Sequence, residues 1–291
     1  MTDFEMGPAL LFCPASRPDR YGKAMDRADA VILDLEDAVA PQDREEARQS
    51  LIANPMDPDR TVVRINPAGS DDFAQDLRAL QQTRYKHVML AKTEEPESLA
   101  QLADYSIVAL CETAKGIINA PAIAAAPNVV ALMWGAEDMI ASLGGTSSRR
   151  PDGQYRDVAL HARSHVLLAA GAAGKAALDS VYVDIADLAG LKEECDDAIA
   201  SGFTAKASIH PSQMPVIRAA YTPTQTEVEQ AQRMLAAAEQ TGGVFTFEGR
   251  MVDEPVLRHA RKTLSRAGLA DGQDQMTVPA TGSVSDSRAV R

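Results

Sequence analysis

Aromatic residues make up only 4% of this 291-residue chain, with a single tryptophan. Hydrophobic residues still reach 45%, so any core must be aliphatic, built from Ala, Val, Leu and Ile. Cysteine is scarce as well. Cys13, Cys111 and Cys195 form no CxxC pair, and their odd number and wide spacing exclude a disulfide framework and suit a reducing compartment. Positive charge is in deficit, with 29 basic residues against 41 acidic ones and a formal charge of −12, which argues against a nucleic-acid binder. No run of about 18 apolar residues is present, so no membrane span is expected. The short apolar run near the N-terminus has no basic segment before it, so no signal peptide is read there. These absences predict a cytoplasmic protein with no nucleic-acid and no membrane partner. Local basic clusters remain: "SRPDRYGK" holds Arg17, Arg20 and Lys23, and "SSRR" holds Arg149 and Arg150.

What is present is an alternation. Eight short runs, apolar or nearly so throughout, fall at residues 9–15, 30–37, 61–67, 87–93, 106–112, 129–138, 180–186 and 205–211. Continuous apolarity is what strands buried on both faces require. Between them the spacing predicts helices over 19–28, 42–53, 71–83, 95–103, 115–125, 155–177 and 187–201. Strand–helix alternation implies parallel pairing through crossovers. Eight such units in about 210 residues point to an α/β fold of the (β/α)8 barrel type. The rival is an open doubly wound sheet. Its dinucleotide-binding form is disfavoured, because no GxGxxG follows the first run. Past residue 211 a helix is expected over 222–243, then a short extended segment and another helix. The expected organisation is a barrel over 1–221, a helical C-terminal extension over 222–267 that folds back or reaches a neighbouring subunit, and a flexible tail over 268–291.

The C-terminal ends of the runs gather polar residues. Ser16 and Arg17 follow the first; Asp34, Glu36 and Asp37 end the second; Arg64 and Asn66 end the third. Lys92, Glu112, Glu137 with Asp138, Asp184 and His210 end the others. In a barrel these ends share one rim, where active sites sit. Glu112 and Asp138, from neighbouring runs, suit a hard cation such as Mg2+, with solvation or helix capping as the plain alternative. Glu137 reads as a helix-start acid. Arg64, inside "VVRIN", needs a carboxylate partner (Asp34, Glu36 or Asp37) or an anionic ligand. Lys92 reads as an electrostatic partner of the rim acids rather than a Schiff-base lysine. The histidines do not cluster, and "HARSH" at 161–165 lacks the glutamate of HExxH.

The motifs "LFCPASRPDRYGKA", "VILDLEDAV", "TVVRINP", "LAKTEE", "ALCETAKGIINA", "MWGAEDMIASLGG", "ASIHPSQ" and "FEGRMVDEPVLRHA" follow one another along residues 9–267. In them the chain resembles the citrate lyase β-subunit-like proteins of the HpcH/HpaI aldolase group, within the phosphoenolpyruvate/pyruvate barrel superfamily. The resemblance is nearest to the short, stand-alone bacterial β-hydroxyacyl-CoA lyases. It implies a carbon–carbon lyase dependent on Mg2+, with Mn2+ as a substitute. The substrate would be a CoA thioester of the malyl-, citramalyl-, citryl- or hydroxymethylglutaryl-CoA kind, cleaved to acetyl-CoA and an oxo acid. It implies Glu112 and Asp138 as metal ligands and Arg64 at the oxo group and developing oxyanion. The backbone of Ala136, Glu137 and Asp138 would receive the oxo acid's carboxylate, and Arg17, Arg20 and Lys23 the CoA phosphates. Asp253, in "MVDEP", matches an acid/base aspartate that in relatives can come from the adjacent subunit, and Glu36, Asp37 and Lys92 would support the site. A homo-oligomer, trimer or hexamer, is implied too. Two departures, Ala91-Lys92 for Pro-Lys and Ser142-Leu143-Gly144 for an Asp before Gly, leave the metal pair untouched. Three alternatives remain: a β subunit of a multi-chain citrate lyase acting on an acyl-carrier-protein thioester, a malyl-CoA thioesterase, and a non-catalytic metabolite-binding barrel.

Overall fold

The computed structural model describes residues 4–269. Eight parallel strands pair in chain order: β1 (Ala9–Pro14), β2 (Ala30–Asp34), β3 (Thr61–Ile65), β4 (His87–Leu90), β5 (Ser106–Cys111), β6 (Val129–Trp134), β7 (Ala176–Asp179) and β8 (Ala205–Ser208). β8 pairs back onto β1, so the sheet is a closed barrel, and the open doubly wound alternative is excluded. Side chains alternate between two aliphatic layers. Leu10, Ile32, Val62, Met89 and Leu178 fill the barrel interior, while Leu11, Leu33, Val63, Leu132 and Ala177 pack against the helices. Burial on both sides is why the strands are apolar throughout.

The helices around the barrel are α1 (Tyr21–Arg27), α2 (Arg44–Ala53), α3 (Asp71–Leu80), α4 (Ala114–Ala124), α5 (Ala136–Ser142), α6 (Asp157–Ala172), α7 (Leu188–Ser201) and α8 (Met214–Tyr221). The β4–β5 connection is a 3-10 stretch, Pro96–Leu102, where a helix over 95–103 is expected. Ser70, Thr113 and Asp187 cap α3, α4 and α7 by accepting first-turn N–H groups. No helix of the described residues is long and apolar enough to cross a membrane.

Strand seven differs from expectation. The sequence pattern puts it at 180–186, with Asp184 at its end, and carries the preceding helix to 177. In the structure α6 stops at Ala172, Gly174 turns in the left-handed region (φ 65°), and β7 is Ala176–Asp179. Barrel closure decides this: Leu178 pairs with Met133 on one side and Ala205 on the other. The alanines of β7 look helical by propensity, and "VYV" looks extended, but tertiary pairing overrides both. Asp184 lies exposed just before a bend and accepts N–H bonds from Ala186 and Asp187. The strand-end acid is Asp179.

The chain divides into two compact units, with the second beginning at Thr222. In it a capping box between Thr224 and Glu227 starts α9 (Gln225–Thr241). A hairpin of β9 (Phe245–Phe247) and β10 (Arg250–Val252) follows, turning at Glu248 and Gly249, both at positive φ. Then comes α10 (Glu254–Arg266), which packs on α9. The expected tail, 268–291, lies outside the described residues from 270 onward.

Candidate active site

In the β2–β3 register Asp34 stands beside Arg64. Arg64 Nε donates to Asp34 Oδ1 at 2.7 Å and Nη2 to Oδ2 at 2.6 Å, a bidentate pair, while Nη1 lies 3.1 Å from Glu36 Oε2. Of the three carboxylates open from the sequence, Asp34 and Glu36 hold Arg64. Asp37 faces Lys92 instead, at 3.6 Å. Asp34 also accepts the backbone N–H groups of Glu36 and Ala38, which fixes the carboxylate that fixes the guanidinium. The guanidinium rests 4.8 Å from the Phe12 ring centroid. Burial alone would lower the Arg64 pKa, but Asp34 and Glu36 outweigh it and raise it.

Glu112 follows β5 directly and is 3% exposed. Its Oε1 accepts the Lys92 backbone N–H at 3.0 Å. Lys92 takes a left-handed conformation (φ 48°) to aim that N–H, a backbone state that costs a non-glycine residue about 1–3 kcal/mol. Its ammonium forms an ion pair with Glu36 and lies 3.5 Å from Asp138 Oδ1. Burial and the charge of Asp138 push Glu112 up to about 8, against the opposing pull of Arg64 and Lys92. Burial also raises Glu36, although Arg64 and Lys92 oppose it. For Lys92 burial works downward, but the bond to Glu36 and the charge of Glu112 prevail and raise it.

Gly135, between β6 and α5, is what lets Glu112 lie against strand six. A Cβ there would sit 2.7 Å from Glu112 Cβ and 2.8 Å from Oε2. The first of these is a Cβ fixed directly to the backbone just past β5, which cannot swing aside. Gly135→Ala therefore displaces the Glu112 carboxylate and costs roughly 1–3 kcal/mol of stability, as overpacking does. Chemical denaturation measures this, and an unchanged midpoint would show that the strand end yields freely.

Glu137 and Asp138 are adjacent in sequence and part company in space. Both lie in the first turn of α5. Glu137 Oε1 accepts a hydrogen bond from Ser148 Oγ at 2.5 Å, whereas Asp138 faces Lys92. The Ala136 N–H is 3.4 Å from Ser180 Oγ. The N–H groups of Glu137 and Asp138 are first-turn donors with no partner within the helix.

Glu112 and Asp138 thus present oxygen donors only, repel one another, and have Lys92 as a shared neighbour cation. Among the described residues no set of three or more His, Cys, Asp and Glu side chains is grouped for a metal. Two hard carboxylates, with remaining positions left to water and ligand oxygens, fit Mg2+ and not a zinc centre.

Arg17, Arg20 and Lys23 are exposed on the segment that leaves β1 at this rim, and Arg17 pairs with Asp19 through two 2.9 Å bonds. His210 caps its own turn, accepting the Ser212 N–H. Asp253 belongs to the second unit, where it caps α10 by accepting the Val256 N–H at 3.3 Å. The structure therefore brings together Arg64, Glu112, Asp138, Glu36, Asp37 and Lys92. Two features escape the sequence reading. One is the close approach at Gly135. The other is a buried charge cluster at β7–β8 centred on Lys206. A lysine inside the short run "AKASI" is a signal of the same kind as Arg64.

Residues 9–211 match the family HpcH/HpaI aldolase/citrate lyase. The chain is 54% identical over 267 residues to the citrate lyase subunit beta-like protein of Mycobacterium tuberculosis, covering 92% of this chain and 98% of that protein. It is 32% identical to the human mitochondrial citramalyl-CoA lyase, covering 89% of this chain and 85% of that protein. It is 34% identical to a (3S)-malyl-CoA thioesterase of Cereibacter sphaeroides, covering 89% and 94%. Among solved structures, CitE from M. tuberculosis in complex with magnesium, acetoacetate and coenzyme A superposes with a TM-score of 0.87 at 54% identity, covering 91% of this chain and 99% of that one.

Proposed function

The chain belongs to the HpcH/HpaI aldolase/citrate lyase family, and from that premise we propose that it is a Mg2+-dependent lyase that cleaves a β-hydroxyacyl-CoA thioester to acetyl-CoA and an oxo acid. The observation that carries this reading is the buried Glu112 beside Asp138, with Arg64 locked nearby by Asp34. The magnesium, acetoacetate and coenzyme A of the mycobacterial structure supply the ligand classes.

Glu112 and Asp138 would hold the ion. When bound, Mg2+ supplies Lewis-acid polarisation at the oxygen of the oxo acid. Arg64 directs its remaining N–H groups at the same oxygen, where charge develops, and its clamp on Asp34 and Glu36 means it needs no reorientation during reaction. The first-turn N–H groups of α5 receive the oxo acid's carboxylate. Arg17, Arg20 and Lys23 meet the CoA phosphates. In the cleavage direction the β-hydroxyl gives its proton to water, the Cα–Cβ bond breaks, and its electron pair stays on the thioester as an enolate. Asp253, from the same chain or a neighbouring subunit, then passes a proton taken up from water to the enolate carbon. Glu36, Asp37 and Lys92 keep Arg64 and the two metal ligands in place. A cytoplasmic homo-oligomer, trimer or hexamer, completes this reading.

The test is a panel of malyl-, citramalyl-, citryl- and hydroxymethylglutaryl-CoA assayed with Mg2+ and with a chelator. Cleavage that stops with the chelator supports the reading, and no cleavage of any thioester defeats it. The 34% identity to a malyl-CoA thioesterase favours one second reading, hydrolysis by the same enolate route. Free malate and CoA without glyoxylate would establish it. Dependence on an added carrier protein would instead mark a subunit of a multi-chain enzyme.

Two further outcomes are expected. Asp253→Asn leaves Mg2+ affinity nearly unchanged and lowers turnover by roughly 10²-fold or more. Isotope exchange at the acetyl methyl group checks the step directly, and wild-type turnover would remove Asp253 from the mechanism. Mg2+ binding is coupled to loss of the Glu112 proton, which leaves at about 8 in the metal-free protein. The apparent Mg2+ affinity therefore rises about tenfold per pH unit from about pH 6 and levels off above about pH 8. Calorimetry in buffers of different protonation enthalpy reads both the affinity and the released proton.

A further inference from the structure

Lys206 lies in the middle of β8 and is 0% exposed, and no step of the proposed reaction uses it. Its ammonium donates to Asp179 Oδ2 at 3.0 Å, to the Ser180 carbonyl oxygen at 2.7 Å and to Glu194 Oε1 at 2.8 Å. All three of its protons are engaged, as a buried charge requires. Asp179 in turn accepts Trp134 Nε1 at 2.7 Å and Arg163 Nε at 3.1 Å.

From this lysine two routes lead to the same place. The first runs through Ser180, whose carbonyl takes a Lys206 proton and whose Oγ lies 3.4 Å from the Ala136 N–H. The second runs through Glu194, whose Oε2 accepts Arg149 Nη2 at 2.7 Å. Arg149 is held against two rings, 3.7 Å from the Tyr155 centroid and 5.0 Å from that of Tyr182. Its neighbour Ser148, 1% exposed, donates to Glu137. The routes end on Ala136 and Glu137, the two residues directly before Asp138.

α5 has only seven residues. A helix that short has little stability of its own. Where Asp138 points must therefore come from whatever holds the first turn of α5. We propose that Lys206 is a positioning residue: through Ser180, and through Glu194, Arg149 and Ser148, it sets the place of Asp138 and so the affinity of the Glu112–Asp138 pair for Mg2+. The proposal rests on the reading of that pair as metal ligands.

The experiment is calorimetric titration with Mg2+ alone, without substrate, on the full-length protein. Lys206→Met, Glu194→Gln and Ser148→Ala are compared with the wild type. The control is Arg60→Met. Arg60 donates to the carbonyls of Met25, Ala28 and Asp29 beside the N-terminal end of β3, opposite the rim. Lys206→Met and Glu194→Gln are expected to raise the Mg2+ Kd by roughly 10-fold or more, and Ser148→Ala by less. Their KM for the thioester is expected to rise as well, since the same turn carries the N–H groups that receive the oxo acid's carboxylate. Arg60→Met lowers Tm and leaves the Kd alone. The proposal is overturned if the network variants also lower Tm while the Kd stays at the wild-type value. Should Lys206→Met not fold, Glu194→Gln and Ser148→Ala decide the matter, since each removes one link of the second route. A wild type without Mg2+ binding that Glu112→Gln abolishes would sink the metal reading and this inference together. Normal wild-type binding with unaltered variants sinks this inference alone.

Discussion

Glu112→Gln is expected to abolish Mg2+ binding and to lower lyase turnover by roughly 10³-fold or more, since several kcal/mol of charge stabilisation at the reacting oxygen goes with the ion. The same substitution should leave the metal-free protein at least as stable as the wild type in alkaline solution. The reason lies in where the carboxyl sits. It is 3% exposed and its pKa is raised from 4.5 to about 8, by burial first and by Asp138 second. A raised carboxyl stabilises the folded state most at low pH. That contribution is whole below about 4.5, drains away as pH rises and is gone above about 8, at a slope near 1.4 kcal/mol per pH unit where the two states differ by a full proton. Glutamine does not titrate, and its amide oxygen can still accept the Lys92 N–H that Glu112 Oε1 accepts. The wild type without metal should therefore lose Tm between about pH 5 and about pH 8, while Glu112→Gln stays flatter. Added Mg2+ should restore the wild type at the upper end and leave the variant unmoved. Thermal denaturation across pH, with and without Mg2+, tests this, and a variant that still responds to Mg2+ would take Glu112 out of the metal site.

The residues at the centre of this site are legible in the sequence for one physical reason. A charged group within or ending a run that is apolar on both sides has no solvent to reach, so it must meet a partner or a ligand. Arg64 and Glu112 both obey that rule, and the partners of Arg64 prove to be Asp34 and Glu36. Lys206 obeys it too, yet "AKASI" is so short and built of such small residues that its burial is visible only once β8 closes on β1. Strand seven misleads for a related reason. The alanines at 176–177 have helical propensity and "VYV" has strand propensity, and only pairing with β6 and β8 selects between them. The split between Glu137 and Asp138 is likewise a matter of geometry. Neighbours on a helix point about 100° apart, so one can reach Ser148 while the other faces Lys92. Asp253 shows where local signals stop. Its side chain caps α10, a role any N-cap aspartate fills, and nothing in that contact distinguishes an acid/base group from a cap.

Arg64→Lys is expected to lower kcat by roughly 10²- to 10³-fold while the Mg2+ Kd changes little. The charge survives this substitution, so a mechanism that needed only a positive potential near the oxo group would tolerate it. What does not survive is the fork. Arg64 spans both oxygens of Asp34 at 2.7 and 2.6 Å and still reaches Glu36 at 3.1 Å. A lysine ammonium is a point donor, and it cannot meet two carboxylates and a ligand oxygen in fixed directions at once. Some stability goes as well, on the order of a few kcal/mol, because Asp34 is left partly unpaired in a dry place. The kinetic loss must be separated from that. Asp34→Asn provides the comparison. It keeps the guanidinium but replaces one of the two carboxylate oxygens that orient it with an amide nitrogen. If orientation is what matters, Asp34→Asn shares the fall in kcat with an intact Arg64, and both variants retain wild-type Mg2+ titration through Glu112 and Asp138. If Arg64→Lys turns over at the wild-type rate, the guanidinium geometry has no part in catalysis, and Arg64 is only the counter-ion of the buried acids around it.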